Sequence, residues 1–134
     1  MTRASPKGVR QRPSRSRSRR AAERRGRRAE AIAAMLYQLR GFRICARRYA
    51  TKSGEIDLIA KRRRLLVFVE VKARADLASG VDAVTPAARR RIEAAGDWFL
   101  ARTPAAAQCA VRYDIAVVSG WRVRRLIDAW RRGD

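Results

Sequence analysis

The sequence predicts one α/β domain, a mixed sheet flanked by helices, behind a basic tail. Three observations predict it. Ala29, Ile32, Ala33, Leu36 and Leu39 recur at helical spacing, which makes one apolar stripe. Four short runs rich in β-branched and aromatic residues, near 42–49, 54–60, 65–72 and 111–118, have the length and composition of strands. Between the third and fourth runs, Thr85-Pro86 opens a second helical stretch, with Thr as N-cap and Pro in the first turn. The order is helix, three strands, helix, strand, and 134 residues suffice for a single core.

Residues 1–20 carry Ser-Pro, Arg-Pro and an alternating Ser-Arg run, and Val9 is their only large aliphatic residue after Met1. Such a stretch has nothing to bury, so it is expected to be a disordered Arg/Ser-rich tail, with the domain spanning 21–134. An organellar transit peptide shares the composition, but the apolar stripe of one is absent. The first helix is expected from about Ala21 to Arg40 and is stopped by Gly41. Phe42 to Tyr49, interrupted by Arg43, Arg47 and Arg48, reads as an outer strand. Ala50 to Gly54 is a loop into a hairpin whose arms are Gly54–Ala60 and Leu65–Lys72.

After Lys72 the chain is irregular to Val84. The second helix then runs to about Arg102, with Ala88, Ile92, Ala95 and Phe99 facing inward, and Thr103-Pro104 ends it. Val111 to Val118 is the fourth strand, and Trp121 to Trp130 fits either a last strand or a short helix. Trp121 and Trp130 are read as caps on the core. Cys45 and Cys109, too few and too far apart for a zinc site or a disulfide framework, are read as small buried residues of a reducing compartment.

Charge narrows the function. With 33 Lys and Arg against 12 Asp and Glu, the net charge is +21. Residues 1–28 hold 12 of the basic residues and a single acid, Glu23, and the rest of the chain remains strongly basic. A polyanion is the expected partner, with nucleic acid favoured over a merely solvated surface. The absence of His removes the Ser-His-Asp triad, the His general base and His metal ligation, leaving carboxylates, Lys, Tyr, Cys or metal-bound water. No apolar run approaches a membrane span and no secretory signal is visible, so no membrane partner is expected and a bacterial cytoplasmic location is.

The hairpin carries charges where a core would exclude them. Asp57 lies between Ile56 and Leu58, Glu70 between Val69 and Val71, and Lys72 two residues on. An isolated buried charge is costly unless paired or bound to a metal. Alternation puts Glu70 and Lys72 on one face with Leu66 and Phe68. It groups Asp57 with Glu55 and Ile59, opposite Ile56, Leu58 and Ala60. With Lys61–Arg64 as a four-residue turn, Asp57 stands opposite Phe68 and diagonal to Glu70, about 7–8 Å away between backbones. An odd loop would split the acids across the sheet.

An Asp on one strand and Glu-x-Lys on the next resemble the PD-(D/E)xK nuclease core. Gly54-Glu55-Ile56-Asp57-Leu58-Ile59, with Val67-Phe68-Val69-Glu70-Val71-Lys72-Ala73-Arg74, resembles the small bacterial YraN-like proteins, which are similar to Holliday-junction resolvases and restriction endonucleases. The resemblance covers about Gly26 to Trp130 and implies a restriction-endonuclease-like αβββαβ core. It implies Mg²⁺ or Mn²⁺ held by Asp57, Glu70 and the Val71 carbonyl, with Lys72 acting on the attacking water or the developing charge. Gly26-Arg27-Arg28-Ala29-Glu30-Ala31 resembles the family's Gly-x-x-Gly-Glu-x-x-Ala opening, with Ala29 in place of the second Gly. It implies that Glu30 also serves the metal, whereas by physics alone Glu30 is a surface acid paired with neighbouring Arg residues.

Arg74, just past the Glu-x-Lys strand, and Arg89, Arg90 and Arg91, crowded at a helix start where positive charge opposes the dipole, are candidate phosphate contacts or solvated charges. Glu55 is either an accessory ligand or an exposed strand start. Asp114, a charge inside the fourth strand, is expected to pair with an Arg. The resemblance implies DNA rather than RNA as the partner and admits a homodimer matched to the two-fold symmetry of a junction. Three readings follow: a metal-dependent endonuclease acting on phosphodiesters, with branched DNA as one candidate substrate; a non-catalytic nucleic-acid-binding module; and an adaptor in a DNA-maintenance or translation complex.

Overall fold

Each apolar stripe becomes an element, and the elements fall in the expected order with one strand added. The computed structural model describes residues 15–79 and 84–134. Helix α1 spans Arg15–Leu39, and strands β1 (Arg43–Ala50), β2 (Glu55–Arg62) and β3 (Leu65–Ala73) follow. Helix α2 (Pro86–Arg102) and a 3₁₀ turn (Pro104–Ala106) lead to β4 (Ala110–Ser119) and β5 (Arg122–Trp130). The ambiguous last segment is therefore a strand. The five strands lie in sequence order, all neighbours antiparallel except β3 and β4. A parallel pair needs a crossover, and α2 is that crossover. This is the αβββαβ order of a restriction-endonuclease-like core, in a mixed sheet.

The two helices cover opposite faces of the sheet. Ala29, Ile32, Ala33, Ala34 and Tyr37 of α1 pack on Leu58, Ala60, Val67, Val69, Ala116 and Val118. Ile92, Ala95 and Phe99 of α2 pack on Ile59, Leu66, Phe68, Ile115 and Val117. Alternation along β3 and β4 thus feeds two cores at once. Each large apolar side chain so buried contributes about 1.5–3 kcal/mol. Thr85 caps α2, its hydroxyl accepting from the Ala88 N–H, and Pro86 occupies the first turn.

Several expectations are corrected. The helix α1 begins at Arg15, inside the stretch 1–20 expected to be disordered, while residues 1–14 lie outside the described residues. Arg is a good helix former, and extending an existing helix costs far less than starting one. The buried stripe of α1 includes Tyr37, and Leu39 is 77% exposed. Tyr37 is drawn in by the buried Asp114, to which it donates a hydrogen bond of 2.7 Å. Cys45 is exposed and Cys109 half-buried, because Cys45 bulges out of the β1–β2 ladder between Ile44 and Ala46 and Cys109 lies in the turn before β4. Trp130 is buried as a core cap, but Trp121 is 71% exposed at the tip of the β4–β5 hairpin.

The β2–β3 turn holds two residues, Arg63 and Arg64, rather than four, since Arg62 pairs with Leu65. Arg63 accordingly takes φ 55°, the left-handed conformation that tight hairpin turns require. Both loop lengths are even, so facing is preserved while the register moves by two. Asp57 comes one step beyond the last pair, Leu58 with Val69, and faces Glu70 directly. Alternation also slips at Asp57, because Ile56 joins the α2-side core and not that of Leu58 and Ala60. Across from it in β1, Arg48 has φ 50°, a local kink that turns both strands over together.

Candidate active site

The hairpin brings Asp57, Glu70 and Lys72 to one corner of the sheet, where the β2–β3 pairing ends. The half-buried Asp57 uses Oδ2 to accept the Val71 N–H at 2.8 Å. Its carboxylate thus replaces a backbone acceptor where the ladder stops, which holds the acid in place. Lys72 Nζ lies 3.3 Å from Glu70 Oε1, with the two side chains 25% and 17% exposed. Residues two apart on a strand share a face, so this pair follows from the local sequence once the strand forms.

The electrostatics of the pair are unusual. Burial, and then the charge of Glu70, push Asp57 up to about 7 from an ordinary 3.8, against the pull of the Val71 N–H. Glu30 and Glu55 push it the same way. Glu70 is raised by burial, opposed by the charge and hydrogen bond of Lys72 and by a hydrogen bond with Asp57. Two carboxyl groups that share one hydrogen-bonded space, with one lysine that pairs with Glu70, are short of positive charge. The missing charge could be a proton or a cation. Among the described residues no three acidic or cysteine side chains close into a ready-made cage. The oxygens at hand are those of Asp57, of Glu70 and of Val71, whose carbonyl leaves the strand on the same edge as its N–H. An all-oxygen, doubly anionic set of this kind fits a hard divalent ion that keeps several waters.

The other candidates are placed as follows. Glu30 reaches this end of the sheet from α1 and contributes to the potential at Asp57, but its Oε2 accepts from Arg48 Nε at 2.7 Å. Glu55 is exposed at the start of β2. Arg74 is half-buried beyond Lys72, its guanidinium donating to the Ala73 carbonyl at 2.8 Å. Arg89 turns toward Trp130, 5.6 Å from the ring, with its Nε buried. Arg90 and Arg91 are exposed, and the backbone of Arg91 packs so closely on Gly54 that a Cβ there would collide with the Arg91 carbonyl. The glycine before Glu55 is therefore needed to seat the start of β2 against α2. A cleft of about 540 Å³ lined by Leu65, Tyr113, Trp130 and Arg132 lies at the opposite end of the sheet from the acids.

Asp114 has a structural role. Fully buried, it is held by both Nε and Nη2 of Arg112 at 2.9 Å, by the Tyr37 hydroxyl, and by the Asp128 N–H at 3.0 Å. Asp128 has φ 56°, and β5 bulges there around the acid. Burial and the nearby Asp114 raise the Tyr37 hydroxyl well above its ordinary range, so it stays a donor. Sequence reasoning missed Arg48. The only sequence signal was a second consecutive Arg in a strand, which patterning cannot separate from a solvated charge.

Residues 29–118 match the uncharacterised protein family UPF0102, the YraN-like group that the hairpin motifs resemble. A UPF0102 protein of Paramagnetospirillum magneticum is 46% identical over 121 residues, 87% of this chain and 94% of the relative. One of Rhizobium johnstonii is 50% identical over 113 residues, covering 84% and 93%. One of Brucella canis is 53% identical over 94 residues, covering 70% and 75%.

Proposed function

The chain belongs to the uncharacterised protein family UPF0102, and from its site we propose that it is a divalent-metal-dependent endonuclease acting on DNA. The observation that carries this reading is the Asp57–Glu70 pair. The two acids face each other at the end of a hairpin, Asp57 is driven up to about 7, and one lysine lies 3.3 Å from Glu70. A purely structural salt bridge would pair one acid with one base, whereas here Lys72 pairs with Glu70 and, among the described residues, no base pairs with Asp57.

Asp57, Glu70 and the Val71 carbonyl would hold Mg²⁺ or Mn²⁺, which supplies Lewis acidity and a water of lowered pKa. The chain's own groups do the rest. The Val71 N–H fixes the Asp57 carboxylate, so the donor set is preorganised. Lys72 is held beside Glu70. From there its ammonium orients the attacking water and offsets the charge that develops on the phosphate oxygens. Arg48 and Glu30 form the outer wall, and Glu30 would join the donor set on release from Arg48. The basic chain, at +21, draws the phosphate backbone to the site.

Support for a non-catalytic binding module comes from the Glu30–Arg48 ion pair, which leaves two side-chain acids, rather than three, at the corner. Labelled linear and branched DNA incubated with Mg²⁺ or Mn²⁺, wild type beside Asp57→Ala, separates the two readings. Cleavage by wild type alone supports the nuclease, and binding without cleavage by either protein supports the module.

A further inference from the structure

Trp121 occupies the second position of the two-residue turn between β4 and β5, since Ser119 pairs with Arg122. Gly120, with φ 58°, provides the left-handed residue this turn needs. Nothing in the turn calls for a tryptophan at its tip, where the ring is 71% exposed at a hydrophobic cost. The Arg28 guanidinium from α1 lies over the ring at 5.2 Å, which orients it. Beside it runs a groove of about 460 Å³ between α1 and the ends of β3 and β4, lined by Arg25, Arg28 and Arg74 among apolar residues. Among the described residues no acidic side chain pairs with these three arginines. Ala29 and Ala73, the chain neighbours of Glu30 and Lys72, also line the groove, so it adjoins the acidic corner.

We propose that Trp121 and the groove of Arg25, Arg28 and Arg74 form a subsite for an unpaired nucleotide of a DNA strand. The base stacks on the indole, and the arginines take the flanking phosphates. Uncompensated positive charge complements phosphate, and an oriented aromatic face takes any base without sequence preference. A duplex keeps its bases stacked on one another and would engage only the arginines. The subsite rests on nucleic acid being the partner, and it specifies substrate as DNA with an unpaired segment beside the cleaved bond.

The test uses the full chain in EDTA, so that it is independent of cleavage. Fluorescence anisotropy of a labelled oligothymidylate and of a labelled duplex of equal length is followed across a salt titration. Trp121→Ala should weaken single-strand binding by about 5- to 150-fold and duplex binding by less than about twofold. The salt dependence should be unchanged, since no charge is lost. Trp121→Phe should bind nearly as wild type, and Trp121→Leu, apolar but without a π face, should resemble Ala. Arg74→Ala should lower the log–log salt slope by about 0.7–0.9 for both probes. Equal losses for both probes, no loss for either, or a Leu variant that binds as wild type would overturn the subsite. A wild type that binds neither probe would instead remove the nucleic-acid reading on which it rests. Thermal melts of the three Trp121 variants should match wild type, because the ring is outside the core.

Discussion

Asp57 accepts the Val71 N–H across the β2–β3 hairpin at 2.8 Å, so one carboxylate both completes a backbone ladder and faces a second acid. The two roles come apart on substitution. Asp57→Asn keeps an oxygen for Val71 and removes the charge, while Asp57→Ala leaves the N–H unpaired. The Ala variant should be less stable than the Asn variant by about 1–3 kcal/mol in urea unfolding. Under the proposed function neither should cleave.

The same acid sets a pH dependence. Asp57 is held at about 7 against an ordinary 3.8, and Glu70 is also raised. A folded state that keeps a proton the unfolded chain has lost binds more protons between those values, so stability declines as pH rises. Melting temperatures of the metal-free protein should fall from about pH 4 to about pH 7 and level off above. Glu30, Glu55 and Glu70 add to the effect, and Lys72 and Arg48 moderate it. Asp57→Asn should flatten the profile and gain on the order of 2 kcal/mol at about pH 8, since each pKa unit is worth about 1.4 kcal/mol before discounting for solvent. Mg²⁺ should raise the melting temperature of wild type and not of Asp57→Asn.

Lys72 separates catalysis from architecture. If it stabilises the transition state, Lys72→Ala should slow cleavage by about 10²–10³-fold with DNA affinity nearly intact. If it is a structural counter-ion, the same change should cost about 3–5 kcal/mol of stability, and binding should fall with folding. Single-turnover cleavage and chemical denaturation of one preparation distinguish the outcomes.

The Asp114 network should behave as a buried unit. Tyr37→Phe removes one of its four hydrogen bonds and should cost about 1–3 kcal/mol. Asp114→Ala leaves Arg112 without its partner and should cost about 3–5 kcal/mol. Neither change should alter the metal response measured by melting.

Removing residues 1–14 takes away Arg3, Lys7, Arg10 and Arg12 and leaves α1 whole. The truncated protein should melt as the full chain does. For every phosphate that these four residues neutralise, truncation should flatten the log K against log salt slope by about 0.7–0.9. An unchanged slope would mean that this segment does not touch the DNA backbone.

The local patterns of the sequence determined which stretches became helices and strands. Ala29, Ile32 and Ala33 recur at 3.6 residues, β3 alternates at two, and Thr85-Pro86 carries its own start signal, so each element is readable without its neighbours. The same alternation brought Lys72 to Glu70, because both sit on one strand. Tertiary structure alone decided which strand positions met. Four basic residues between two strands permit a loop of either two or four, and the packing of Leu58 and Val69 in the core chose two, bringing Asp57 opposite Glu70 rather than diagonal to it. Alternation along β4 likewise brought Arg112 to Asp114, but only the fold added Tyr37 from a helix 77 residues away. Trp121 and Trp130 bound one segment in nearly the same company, yet one lies on a turn tip and the other under α2. Burial is set by what packs across from a residue, and that information is spread over the whole chain rather than carried by any window of it.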